Sequence, residues 1–220
     1  MELLTHLGPI EGNYRLYTEP WIIDQIQQIE KKLFTTETFH YNRDFAEFPF
    51  RRPFDYYYFG EHNRLFRRES DYQVLTTFLR AINSTSFFIS APAYAALYPL
   101  EMSVECPFSI YRDTPAYILE ELMDSGPRPL QHPRSGVGFV TIPHVFMFDK
   151  TQQWAMLNDD GNQVVTIGIS QPIKTQFEQA FNSLPLVSAG EALSIMERFH
   201  GGKVYDDYRS RFCALYENQV

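Results

Sequence analysis

The side chains here that could do covalent or acid–base chemistry are six histidines, two cysteines and one loop that sets a histidine between arginines. His6, His40, His62, His132, His144 and His200 stand singly. With no H-E-x-x-H and no paired Cys or His at ligand spacing, no metal site is written into the order of residues. Cys106 could serve as a nucleophile only with a base such as His144 and an orienting aspartate, an arrangement that forms in space and leaves no spacing to read. Cys106 also falls on the apolar side of an alternating run, the setting of a small buried hydrophobe. Phosphate loops of the G-x-x-x-x-G-K-[ST] or G-x-G-x-x-G kind are absent, as is the G-x-S-x-G elbow. Asn158-Asp159-Asp160-Gly161-Asn162 lacks the alternating aspartates and distal glutamate of a calcium loop and reads as a turn. The expectation is no metal and no cofactor.

Two places remain where function could reside. The first is the proline-rich connector Ser125–Ser135, SGPRPLQHPRS, with His144 shortly after it. Arg128, His132, Arg134 and His144 would together hold an anion, and on that reading the chain is a small hydrolase or transferase with its site at 125–144. The second is aromatic. The chain has 19 Phe, 14 Tyr and 2 Trp, and from Phe34 to Arg68 the rings are interleaved with arginine. Guanidinium groups stack on rings, and a Tyr ring can be buried at one end and wet at the other, so this is also the composition of a contact surface. The residues chosen as partner contacts are Tyr56, Tyr57, Tyr58, Trp154, Asp159 and Asp160.

Charge narrows the partner. The net charge is −8, with the acids spread along the chain and no long basic run, which disfavours a phosphate backbone as ligand. An acidic chain suits a basic partner, because opposite potentials speed encounter. No apolar run is long enough to span a bilayer, and MELLTHLGPIEG lacks the basic and apolar regions of a signal peptide. Two cysteines far apart suggest a reducing compartment. The expected location is the cytoplasm, with no membrane and no nucleic acid as partner.

The elements that must position these residues are legible from periodicity. Gly136–Ile169 carries the densest β signal, in runs at Phe139–Ile142, Val145–Phe148, Trp154–Leu157 and Val164–Ile169. Asp149-Lys150-Thr151 and the Asn158–Asn162 stretch supply turns between them, since Asx side chains bond their own backbone. Asp55–Phe59 reads as a strand with Leu65–Arg67 as its hairpin partner, and Thr85–Ser90 as another. Met102–Ile110 alternates strictly, placing Met102, Val104, Cys106, Phe108 and Ile110 inside and Ser109 on a wet face.

Ile22, Ile26, Ile29 and Leu33 form one stripe of a helix capped by Thr18 and opened by Pro20. Ser70 and Gln73 suggest a capping box for a helix to Ala81, and Ser188 and Glu191 a second for a helix to His200. Further helices start at Thr114-Pro115 and at Gln171-Pro172, and a last one spans about 203–216. The fold class is therefore α+β: a single domain over 1–220, with a weak subdivision at the 125–135 connector. Its centre is a mostly antiparallel sheet, a meander at about 137–169, packed with five or six helices.

The strand pattern around Trp154, an acidic turn and a following β run, is similar to that of small acidic α+β proteins that neutralise bacterial toxins, the immunity proteins. No motif of that class carries over residue by residue. What the resemblance implies is a soluble bacterial, non-enzymatic, protein-binding protein with an acidic and aromatic contact surface, its partner a basic toxin domain.

Overall fold

The computed structural model describes residues 14–16, 19–34, 50–51, 53–60, 68–90, 108–125, 144–159, 162–199, 201, 206, 209–210 and 212–213. These contain the strands β1 (Tyr14–Leu16), β2 (Asp55–Phe59), β3 (Ser86–Ser90), β4 (Phe108–Tyr111), β5 (His144–Phe148), β6 (Trp154–Asp159), β7 (Val164–Ile169) and β8 (Leu186–Val187). The described helices are α1 (Pro20–Leu33), α2 (Glu69–Ala81), α3 (Ala116–Ser125), α4 (Lys174–Phe181) and α5 (Ala189–Phe199), with a 3-10 turn at Gln171–Ile173 before α4. All eight strands join one sheet in the order β1-β4-β3-β5-β6-β7-β2-β8, and every pairing is antiparallel. The α+β class follows directly.

β5, β6 and β7 are consecutive in chain and sheet, a meander at the centre. Among the described strands, β2 pairs with neither β1 nor β3, its neighbours in sequence. It inserts between β7 and β8, with Asp55 opposite Ile169 and Phe59 opposite Val165. Its expected partner at 65–67 lies outside the described residues, as does the expected strand at 139–142.

The sheet is covered on both faces. One face carries Tyr57, Phe59, Phe87, Ile89, Val145, Met147, Trp154, Met156, Val165, Ile167 and Ile169. Leu75, Phe78 and Leu79 of α2, Leu119 of α3 and Phe177 and Phe181 of α4 pack on it. The other face carries Phe88, Phe146, Phe148, Ala155 and Leu157 beneath Ile22, Ile26, Ile29 and Leu33 of α1. Further along that face, Tyr58 and Val164 lie beneath Ala192, Leu193 and Met196 of α5. A strand covered on both sides reads as a continuous apolar run, which is why the alternation in the meander is weak and its β-branched and aromatic density high. It also corrects the expected wet face of β4: Ser109 is buried, because α1 and its cluster cover that side of the sheet.

Helix ends depart from the expected caps in two places. The N-cap of α1 is Glu19 and that of α2 is Arg68, neither with a side-chain cap bond. Ser70 therefore sits inside α2, and Gln73 reaches back to Glu69 at 3.3 Å along the helix surface. The box at Ser188 forms in full. Glu191 accepts from the Ser188 N–H at 2.8 Å and hydroxyl at 2.9 Å, and Ser188 Oγ accepts from the Glu191 N–H at 3.2 Å.

Gly168 of β7 is a contact glycine. A Cβ there would lie 2.5 Å from Cδ2 of the buried Phe54 ring, so that ring seats directly on the strand backbone. On the opposite face, Asn158 stands between Val145 and Val165 in register, fully buried, with neither amide atom hydrogen-bonded among the described residues. Two stability changes of opposite sign are expected. Gly168→Ala overpacks against Phe54 and costs about 1–3 kcal/mol. Asn158→Leu removes an unpaired polar group whose burial costs about 1–3 kcal/mol and raises the urea midpoint. Equilibrium urea unfolding measures both, read at unchanged slope.

Candidate functional site

The β2 end of the sheet brings chain segments far apart in sequence into one polar and aromatic cluster. Alternation along β2 puts Asp55 and Tyr57 on the α4 side and Tyr56 and Tyr58 on the other. Phe177 buries the inner flank of α4, and its ring centroid lies 4.6 Å from that of Tyr57. Lys174 and Glu178, one turn apart, share the adjacent flank of α4. The Tyr57 hydroxyl donates to Glu178 Oε1 at 2.8 Å. Lys174 Nζ reaches Asp55 Oδ2 at 2.8 Å, and Gln171 Nε2 donates to the same oxygen at 2.7 Å.

The electrostatics follow from these contacts. Burial, then the Glu178 carboxylate, raises the Tyr57 phenol well above the ordinary tyrosine range, so it remains a donor. The hydrogen bond to Asp55 raises the Lys174 ammonium, which stays charged. Glu178 is 51% exposed, so the cluster presents a carboxylate and a half-buried ring to solvent. Such an arrangement can bind a polar or cationic surface; it contains no nucleophile–base pair.

The other residues chosen from the sequence scatter, and several are corrected. Trp154 is 0% exposed, packed between Phe78 at 6.1 Å and Phe87 at 6.5 Å under the helical layer. It is a core residue, and no partner can contact it without opening the fold. Tyr58 is 2% exposed against Phe212 of the C-terminal segment, for the same reason: α5 covers its face. Tyr56 packs among Phe50 and Phe54, and burial pushes its phenol up to about 12. Asp159 is buried and closes the β6–β7 connection, accepting from the Asn162 backbone N–H at 3.0 Å and from its side-chain amide. Asp160 lies outside the described residues.

For the anion-binding alternative, Arg128, His132 and Arg134 all lie outside the described residues. The backbone of His144 opens β5 opposite Asp159. Among the described residues, no group of His, Cys, Asp and Glu is placed to hold a metal ion, and no helix is long and apolar enough to cross a membrane. No protein-family model matches the chain, nor does any curated protein or solved structure.

Asp55, Gln171, Lys174 and Glu178 went unread in the sequence. The Lys174–Glu178 spacing was a visible signal for a helix-surface pair, but nothing local tied it to a strand more than a hundred residues earlier. Two further surface features flank the fold. An open groove of about 770 Å³ runs beside α5, lined by Val187, Glu191, Ser194, Ile195, Glu197 and Arg198. At the C-terminal end of α2, Arg80 and Arg112 grip Asp113, and their hydrogen bonds hold its carboxyl down at about 2.

The raised tyrosines have a pH signature. Tyr56, Tyr57 and Tyr72 all favour the neutral phenol when folded, chiefly through burial. Their contribution to stability is complete below the unfolded value of about 10 and is lost as pH rises through the higher folded values. A phenolate absorbance titration should show a group of tyrosines that ionise late and together with unfolding. In Tyr57→Phe that late group should lose one member.

Proposed function

We propose that this chain is a non-enzymatic protein-binding protein of the toxin-neutralising, immunity-protein kind, and that its partner is a basic protein domain. The observation that carries the reading is the ordered Tyr57 at the β2–α4 surface, held by Phe177 behind and Glu178 beside it. A half-buried tyrosine with its ring fixed loses little entropy on binding, which is how aromatic anchors contribute to interfaces. Glu178 adds a half-exposed carboxylate next to the ring, in a chain whose net charge is −8, while Asp55 behind it is paired with Lys174. Complementary charge of this kind speeds encounter with a basic surface and discriminates against acidic ones. Of the contact residues chosen from sequence, Tyr57 thus becomes the centre of the reading, with Glu178 and Asp55 beside it.

The test begins with capture of a stoichiometric partner by the tagged protein from lysate of its own source. Tyr57→Ala should then weaken binding to that partner by about tenfold or more while the far-ultraviolet spectrum and cooperative unfolding persist. Trp154→Ala is the contrasting variant: it should lose about 3–5 kcal/mol of folding stability, and binding only in proportion to the unfolded fraction. Unchanged affinity in a folded Tyr57→Ala variant would remove this surface from the proposal.

A further inference from the structure

We draw no further inference here: the strongest candidate, the open groove beside α5 lined by Val187, Glu191, Ile195 and Arg198, is a partly apolar face and nothing in the structure shows what covers it.

Discussion

Burial of both faces of β5, β6 and β7 is the constraint on which the rest of the structure depends. Every residue of β6 and β7 is buried, so each strand must supply apolar side chains in both directions at once. Trp154, Met156, Ile167 and Ile169 face α2 and α4, while Ala155 and Leu157 face α1. Neither set could leave water without its helical layer. The sheet therefore needs helices from before it and after it in the chain, and the termini of those helices decide what reaches the surface.

That arrangement explains the heavy use of aromatic residues. Rings fill the thick space between a sheet and its helices with few rotatable bonds, and they meet edge to face. Phe78 is the hub on one side, with centroid distances of 6.1 Å to Trp154, 5.6 Å to Phe177 and 5.8 Å to Phe181. Phe34 is the hub on the other, tilted against Phe146 at 4.1 Å and edge-on to Phe148 at 6.1 Å. A composition that could equally describe a contact surface is, for the described rings, mostly the inside of a three-layer fold. Among the described aromatic residues Trp21, Tyr117 and Phe199 are exposed, and Phe50, Tyr56, Tyr57 and Tyr111 are partly buried, Tyr57 beside the carboxylate of Glu178.

The same packing sorts the polar residues. Asp159 is buried but satisfied by Asn162, and Asp149 is buried while accepting from the Thr151 backbone and hydroxyl, so both serve turns. Asn158 is buried with both amide atoms unpaired among the described residues, and Trp154 Nε1 on the same strand is likewise buried without a partner there. Asp55, Lys174 and Glu178 sit where β2 meets α4 at the rim, and there charge can stay hydrated while orienting a ring. Asp159, at the end of β6, is engaged inside the protein, whereas Glu178 at the rim is half-exposed.

Several described elements, among them α1, α5 and the strands β5 to β7, are legible from local sequence alone, whereas β1 and β8 are not. The stripe Ile22–Ile26–Ile29–Leu33, the box at Ser188 and Glu191, and the β-branched runs of the meander all act through neighbours within a few residues, so short-range periodicity and side-chain bonds suffice to declare them. Only the tertiary structure decided which residues meet water. Tyr56, Tyr57 and Tyr58 are adjacent and chemically identical, yet they point alternately to faces covered by different helices, and Tyr57 is placed to donate to the half-exposed carboxylate of Glu178. Trp154 looks like an anchor in sequence and is core in space, because the helices that bury it lie before and after the meander. The insertion of β2 between β7 and β8 is likewise a long-range choice, set by which edge of the meander was left to pair and by no signal within Asp55–Phe59 itself.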